Sequence, residues 1–338
     1  MKTLLIIGMF LTSYDLVGFD PYIQPWQIPE DHFDFVVISD THFYKGCVEP
    51  SNNCYPIPLD IREQINNLPK RPEFVVNCGD LICNNSAETC DSIGSYNDGF
   101  EMPVYMVIGN HEADPDLSDT TWLDDENHVK PIQGLLPGAK RWYHWTHENS
   151  VFVVVNNNND ASDLGYETSS PPFDSLHHNF SSQRDSVRQW LAEGGEEIKW
   201  KFVFGHRAYY GAESKLRRPN VHFSESYAET LRTGSNSFLR DLEAYEVDFM
   251  ISGDQHAYCR TNHIFENEVD EFGPIYMTVG GGGGDINRGI DTSLSKGVKR
   301  VFDDKHFYTI FKVRGNRIRA VTIDPESRQI LDEFEVFQ

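Results

Sequence analysis

The sequence predicts an α/β fold, and two observations support this prediction. First, five apolar runs each end in Ser or Gly and are followed directly by Asp, Asn or His. Second, segments with a helical spacing of apolar residues lie between several of these runs. Such runs are typical of buried parallel strands, and open α/β sheets bind ligands at the carboxyl ends of their strands. The five runs cover residues 35–39, 74–79, 104–109, 202–205 and 249–253.

The remaining elements follow in chain order. Asp60 is suited to cap a short helix, on which Ile61, Ile65 and Leu68 recur at helical spacing. No internal repeat and no linker divides the chain, so one domain is predicted over residues 19–338. The other predicted elements are a strand pair over residues 141–145 and 151–155, helices over 183–193 and 238–245, and closing strands over 275–279 and 307–323.

The charge of the chain limits its partners. Its 338 residues include 29 Lys and Arg against 52 Asp and Glu, a formal net charge of −23. Nucleic acids and anionic membrane surfaces attract basic proteins, so neither is predicted as a main partner. A small substrate is expected instead, and the sequence leaves the oligomeric state open.

The first 18 residues resemble a signal peptide. One early Lys precedes a short apolar run, which is too short to span a bilayer, and polar residues follow it. A buried first strand is the alternative interpretation of this segment. A signal peptide predicts a secreted or lumenal (endolysosomal or extracellular) protein without stable membrane insertion, since no other stretch is apolar for long enough.

The six cysteines are compatible with export. Cys47 with Cys54 and Cys83 with Cys90 each flank a short loop, so two disulfides are plausible, although the sequence does not fix the connectivity. Cys78 and Cys259 are expected to be buried thiols. Glycosylation sequons at Asn84 and Asn179 would be used only in a secreted eukaryotic protein.

The polar residues at the strand ends form a candidate metal site. Together, their carboxylate, imidazole and amide groups suit first-row transition metals better than Ca²⁺, which prefers all-oxygen sites. A carboxylate shared by two ions would hold them about 3.5–4 Å apart, the spacing of two-metal hydrolases, and such ions lower the pKa of a bound water. The candidates are Asp40, His42, Asp80, Asn110, His111, His206, Asp254 and His256.

These motifs resemble the calcineurin-like metallophosphoesterases, and within them the short, single-domain purple (tartrate-resistant) acid phosphatases. The resemblance covers nearly the whole chain after the leader. It implies a four-layer α/β/β/α sandwich of two mixed sheets flanked by helices, with the metal site at the carboxyl ends of the strands. The motifs that carry it, in the family's order, are Asp40-Thr41-His42, Gly79-Asp80, Gly109-Asn110-His111-Glu112, Gly205-His206 and Gly253-Asp254-Gln255-His256.

The resemblance also implies a role for each residue in the hydrolysis of phosphate monoesters. His111, oriented by Glu112, would stabilise the transition state or protonate the leaving alkoxide, while a metal-bound hydroxide attacks phosphorus. The ions would be of the first-row type, namely Fe, Zn or Mn, with Mg possible. One ion would be held by Asp40, His42, Asp80 and His256, and the other by Asp80, Asn110, His206 and Asp254.

Three positions depart from the purple acid phosphatase pattern. Cys83 stands where those enzymes carry a Tyr ligand, so no tyrosinate charge-transfer band is expected. His42 stands where they usually have no ligand, and it can fill the vacated position. Asp254 replaces a ligand His, and it either ligates with an added negative charge or leaves the second site impaired.

Several alternatives remain open. The same centre could serve a phosphodiesterase acting on nucleotides or lipid head groups, and the substitution at Asp254 is compatible with a catalytically degenerate binding protein. His222 is a second candidate for the leaving-group acid, although a lone surface His is often inert. The glycine run at residues 280–284 lacks the ending of a phosphate loop and is interpreted as close backbone packing near the site.

Overall fold

The structure is a computed structural model, and it describes residues 32–43, 56–81, 94–112, 142–157, 182–210, 213–214, 238–286, 289–291 and 297–338. The longer helices of the described residues are α1 (Pro56–Asn66), α2 (Ser182–Ala192) and α3 (Phe238–Ala244), and a short 3₁₀ helix covers Gly195–Glu197. The strands are β1 (His32–Ile38), β2 (Phe74–Asn77), β3 (Val104–Met106), β4 (Tyr143–His147), β5 (Ser150–Val154), β6 (Trp200–Phe204), β7 (Glu213–Ser214), β8 (Phe249–Ser252), β9 (Tyr258–Phe265), β10 (Glu268–Val269), β11 (Ile275–Val279), β12 (Ile290–Asp291), β13 (Val298–Phe302), β14 (Tyr308–Arg314), β15 (Arg317–Ile323) and β16 (Ile330–Phe337).

Two mixed sheets form the centre of the structure, and this confirms the predicted fold class. The first sheet has the strand order β16-β15-β14-β1-β2-β3, with β1, β2 and β3 parallel. The second has the order β10-β9-β11-β8-β6-β5-β4, with β5, β6, β8 and β11 parallel, and β13 also pairs with β9. A small third pairing joins β7 and β12.

An aromatic core joins the facing sheets. Phe35 of the first sheet contacts Phe152 and Phe202 of the second edge-on, with ring centroids 5.3 and 5.1 Å apart. Phe35 also stacks on Phe74 and Phe311 within its own sheet. Such aromatic pairs contribute about 0.5–1.5 kcal/mol each beyond their buried area. The packing therefore fixes how the two sets of strand ends lie relative to each other.

The helices cover the outer faces of the sheets. Side chains alternate along a strand, so the residues of β5 that do not face the aromatic core, Val151 and Val153, face the opposite way. They are buried in one cluster with Val187 and Leu191 of α2 and with residues of α3. Helix α1 adjoins the first sheet, where the Gln64 side chain donates a hydrogen bond to the Pro325 carbonyl.

Strands β9, β13 and β16 were not predicted, because their sequences are rich in charged and polar residues. Strand pairing stabilises them instead, β13 against β9 and β16 against β15, and a polar contact between the two sheets joins β9 to β16. Arg260 of β9 donates two hydrogen bonds to Asp332 of β16, at 2.7 and 3.1 Å, and the Tyr258 hydroxyl donates to the same carboxylate. Sequence periodicity does not reveal such long-range pairs.

Some predictions concern residues that the structure does not describe. These are the signal peptide, the cysteine pairs Cys47 with Cys54 and Cys83 with Cys90, both sequons, and His222. Cys78 and Cys259 are buried thiols, as predicted. Within the described part of the chain, no helix is both long enough and apolar enough to cross a bilayer.

Candidate metal centre

The parallel strands of both sheets deliver their polar ends to one edge of the structure. Asp40 and His42 follow β1, Asp80 follows β2, and residues 110–112 follow β3. His206 follows β6, and residues 254–256 follow β8. Their side-chain atoms form overlapping groups within 4.8 Å: Asp40 with His42 and His256, His42 with Asp80 and His111, and Asp40 with Asp80 and His206.

The backbone at these strand ends is bent into the left-handed region. The φ angles are 54° at Asp40, 44° at His42, 50° at Asp80 and 67° at Asp254. An L residue in this conformation costs about 1–2 kcal/mol, so it persists only where surrounding contacts enforce it. The Asp40 N–H donates to the Gly79 carbonyl and the His42 N–H to the Asp80 carbonyl, at 2.9 and 3.0 Å. These bonds lock the ends of β1 and β2 together.

One group of donor atoms surrounds His256. Its Nε2 lies 3.0 Å from His42 Nε2 and 3.4 Å from Asp40 Oδ1. Its Nδ1 donates to the backbone carbonyl of Asp285, so the neutral ring presents a lone pair at Nε2. Asp40 Oδ1 is buried and has no hydrogen-bond partner among the residues that the structure describes. A buried carboxylate oxygen facing two imidazole nitrogens fits a metal ligand.

A second group of donor atoms surrounds His206, which is fully buried. Its Nε2 lies 3.0 Å from Asn110 Oδ1, 3.3 Å from Asp80 Oδ1 and 3.6 Å from Asp254 Oδ1. Its Nδ1 donates to the Cys78 carbonyl at 2.8 Å, which again leaves Nε2 for the cluster. Three oxygens thus lie within 3.6 Å of one imidazole nitrogen, a mixed donor set suited to first-row metals. Asp254 does not belong to the described groups whose donor atoms all lie within 4.8 Å of one another.

Oppositely charged groups lie close together in this cluster. Burial and the neighbouring His256 lower the pKa of His42 to about 4. Burial also disfavours protonation of His206, but the adjacent Asp80 carboxylate outweighs it and raises the His206 pKa to about 10. Burial would raise the pKa of Asp80, yet His206 outweighs burial and holds it below its usual range. Because a metal ion binds the neutral imidazole, the raised pKa of His206 means that metal affinity should rise with pH.

Asp80 and Glu112 organise the centre of the cluster. Asp80 Oδ1 accepts the His111 N–H at 2.9 Å, and Oδ2 lies 3.9 Å from His42 Nε2. The buried Glu112 carboxylate accepts backbone hydrogen bonds from Asp80, Leu81 and Gly109, at 2.9, 2.8 and 2.7 Å. Glu112 therefore joins the end of β2 to the turn after β3, in addition to the predicted role of orienting His111.

Asp254, one of the three positions that depart from the purple acid phosphatase pattern, is paired with a cation. Arg207 Nη1 donates to Asp254 Oδ1 at 2.5 Å. Burial would raise the pKa of Asp254, but Arg207 outweighs it and lowers this pKa. The Asp254 N–H donates to Asp40 Oδ2 at 3.1 Å, which ties the fifth motif to the first.

Two residues that contact the cluster were not among the sequence-based candidates. Asn157 is buried after β5, and its Oδ1 accepts the N–H groups of His206 and Arg207 at 3.0 and 2.9 Å. Its Nδ2 donates to the Arg207 carbonyl at 2.7 Å. Asn157 lies in a run of four Asn residues that offers no signal, whereas Arg207 could have been noticed as a cation next to a ligand.

The glycine run at residues 280–284 packs directly on the cluster, as predicted. Gly282 and Gly284 donate their N–H groups to the carbonyls of Ser39 and Asp40, each at 2.8 Å. A Cβ atom at Gly284 would lie 2.5 Å from His42 Cδ2 and 2.8 Å from His256 Cε1. Only glycine lets the backbone approach the two imidazoles this closely.

We expect Gly284→Ala to weaken metal binding by about 10- to 100-fold, because the added methyl group displaces both rings. Metal titration of the purified protein measures this effect. Gly195→Ala is the control for metal affinity: no atom lies within 4 Å of the position that its methyl group would take, and its φ of 54° makes any cost one of stability rather than of metal binding. Equal metal affinity in Gly284→Ala and the wild type would contradict the packing argument.

Comparisons with known proteins are consistent with this geometry. A family model described as calcineurin-like phosphoesterase matches residues 33–258. Purple acid phosphatase 23 of Arabidopsis thaliana is 25% identical over 184 residues, which is 54% of this chain and 34% of that protein. Purple acid phosphatase 13 of the same plant is 25% identical over 215 residues, 61% of this chain and 34% of that protein. The aligned part thus spans about a third of these relatives.

Two solved structures share the fold. The purple acid phosphatase PPD1 from yellow lupin (Lupinus luteus) seeds has a TM-score of 0.65 at 14% identity, over 90% of this chain and 54% of that chain. GAP50, the anchor in the inner membrane complex of Plasmodium, has a TM-score of 0.62 at 14% identity, over 91% and 89%. At such identities the likeness concerns the fold alone.

Proposed function

Because the chain belongs to the calcineurin-like phosphoesterase family, we propose that it is a metal-dependent phosphatase that hydrolyses phosphate monoesters. The observation that carries the proposal is that nitrogen and oxygen donors from five strand ends form overlapping groups, two of which contain Asp80. The similarity to purple acid phosphatases, although low in identity, agrees with it.

Two metal positions are proposed, and they share Asp80. The first would be held by Asp40, His42, Asp80 and His256. The second would be held by Asp80, Asn110, His206 and Asp254. Two ions of Fe, Zn or Mn, with Mg also possible, would supply positive charge for the phosphoryl oxygens and a water with a lowered pKa.

His111 is proposed as the group that protonates the leaving alkoxide. Its side chain is 38% exposed, whereas the His42, His206 and His256 side chains are at most 10% exposed. Its Nε2 lies 3.8 Å from Asp80 Oδ2, so the ring borders the cluster while remaining accessible to a substrate. His222 remains an alternative donor in a segment that the structure does not describe.

We expect Asn110→Ala to lower kcat/KM for an aryl phosphate by about 100-fold or more, because Asn110 Oδ1 is one of the donors around His206 Nε2. The measurement is hydrolysis with added metal, together with metal content and circular dichroism. Asn67→Ala, which changes an exposed helix end, is the matched control. Unchanged activity of a folded Asn110→Ala protein would rule out the proposed centre.

The two alternatives are a phosphodiesterase and a degenerate binding protein. Relative rates on an aryl monophosphate and a bis-aryl phosphate separate the first from the proposal. The degenerate binding protein is motivated by Asp254. Metal occupancy well below two ions per chain, with no turnover under any metal supplement, would favour this alternative. Restoration of activity by Asp254→His would also indicate a degenerate centre.

We further propose that the protein is secreted or lumenal and acts on a small phosphorylated substrate. The leader-like residues 1–18 and the net charge of −23 support these two proposals. Mass spectrometry of the mature amino terminus tests the first, because retention of residues 1–18 would exclude signal cleavage. A screen of phosphorylated metabolites tests the second, and activity confined to nucleic acid or membranes would contradict it.

A further inference from the structure

Arg207 borders the donor cluster, and the proposed mechanism gives it no role. We propose that Arg207 binds the phosphate group of the substrate and that Asp254 holds its guanidinium in place for this purpose. The inference rests on the proposed phosphatase function and assigns to Arg207 and Asp254 a role in substrate recognition. It is supported by the position, the accessibility and the charge of the pair.

The backbone of Arg207 is fixed relative to the cluster. Asn157 accepts its N–H and donates to its carbonyl, at 2.9 and 2.7 Å, and also accepts the N–H of His206. A Cβ at Gly205 would lie 2.9 Å from Asn157 Nδ2, so the strand end fits closely against this side chain. The segment is therefore rigidly placed, as a group that recognises substrate requires.

The side chain of Arg207 reaches the donor atoms and also the solvent. Its Nη1 lies 2.5 Å from Asp254 Oδ1, which in turn lies 3.6 Å from His206 Nε2, so the two nitrogens are at most about 6 Å apart. The Arg207 side chain is 20% exposed and that of Asp254 only 9%. The side chain is thus close to the cluster and partly exposed, as contact with an incoming phosphate requires.

The extra charge of Asp254 gives a reason for a cation beside it. Compared with a neutral His at this position, Asp254 adds one negative charge, which would weaken the attraction of the metal-loaded cluster for a substrate dianion. A guanidinium carries five N–H donors in a planar fork, so it can bind a carboxylate and a phosphate oxygen together. The Arg207–Asp254 pair carries no net charge. In this respect it equals a neutral His at position 254.

The competing explanation is that Arg207 serves only as the counter-ion of Asp254. The two explanations differ in their expectation for the double variant Arg207→Gln, Asp254→Asn. If Arg207 were only a counter-ion, removing both charges would restore phosphate binding, compared at equal metal content because Asp254 is also a proposed metal ligand. If Arg207 binds phosphate, the double variant remains as weak as Arg207→Gln.

The test is calorimetric titration of the metal-supplemented full chain with inorganic phosphate, with metal content measured in parallel. We expect Arg207→Gln to bind phosphate about 10- to 100-fold more weakly at unchanged metal content, and Arg207→Lys to show an intermediate loss. The KM for an aryl phosphate should rise more than kcat falls. Arg317→Gln is the control. Arg317 is 24% exposed and pairs with Glu335. It lies in the hairpin of β14 and β15, near the amino end of β6 and therefore away from the cluster at the carboxyl end of that strand.

Three results would overturn the inference. The first is equal phosphate affinity in Arg207→Gln and wild type. The second is recovery of phosphate affinity in the double variant. The third is an Arg207→Gln protein that loses metal but binds phosphate normally once metal is supplied. Failure of the proposed function is distinguishable, because wild type would then bind phosphate without hydrolysing an aryl phosphate. A wild type that binds no phosphate at all would contradict both.

Discussion

Asp80→Asn is expected to remove at least one equivalent of bound metal and to lower kcat/KM for an aryl phosphate by about 1,000-fold or more. Asp80 lies between the two donor groups, with Oδ1 3.3 Å from His206 Nε2 and Oδ2 3.9 Å from His42 Nε2. The amide has the same shape but lacks the negative charge and one of the acceptor oxygens. Because bound ions supply several kcal/mol of charge stabilisation and each 1.36 kcal/mol is tenfold in rate, the loss should be large.

The measurements are elemental analysis of the purified variant and steady-state hydrolysis with added metal. The matched control is Asp185→Asn on helix α2. The Asp185 carboxylate is 66% exposed and pairs with Arg188. Circular dichroism of Asp80→Asn establishes that the fold is retained. A folded Asp80→Asn protein with two metal equivalents and wild-type turnover would refute the shared-ligand role of Asp80.

Glu112→Gln is expected to lower the free energy of unfolding by about 2–4 kcal/mol. The carboxylate is 1% exposed and accepts N–H groups from Asp80 and Gly109 at Oε2 and from Leu81 at Oε1. In Gln one of these oxygens becomes an NH₂ group, which faces at least one buried N–H and leaves it without an acceptor. Such a buried donor costs about 1–3 kcal/mol, and the lost charge-assisted bond adds to this.

Chemical denaturation followed by circular dichroism measures this change in stability. Metal titration should also show weaker metal binding, because the end of β2 is no longer joined to the turn at residues 109–112. The control is Glu335→Gln on the outer strand β16, where the carboxylate pairs with Arg317 and is 33% exposed. A loss below about 1 kcal/mol in Glu112→Gln would mean that these backbone bonds contribute little to stability.

The strand ends could be predicted because each is a local pattern. A buried apolar run closed by Gly or Ser, followed by a polar residue, fixes both the strand and the direction in which its end projects. The structure brings Asp40, His42, Asp80, His206 and His256 together as the pattern indicates. The glycine run was predictable for the same reason, since consecutive glycines permit close backbone approach.

The contacts of Asp254, Glu112 and Asn157 could not be predicted, because their partners are distant in sequence. Asp254 is paired with Arg207, 47 residues away, and Asn157 fixes residues 50 positions further along the chain. Glu112 was predicted to orient His111, a prediction that stays untested, and its bonds to the backbone around Asp80 follow only from the pairing of β2 with β3.

The sequence by itself determined the fold class, the predicted donor residues and the edge of the sheets where they meet, since these depend on periodicity and on the direction of each strand. Only the tertiary structure decided how the two sheets face each other, through Phe35, Phe152 and Phe202, and hence which donors share a position. It also decided that the Asp254 carboxylate forms an ion pair with Arg207. Distances and charge pairs between separate strand ends arise from packing, and no local pattern encodes them.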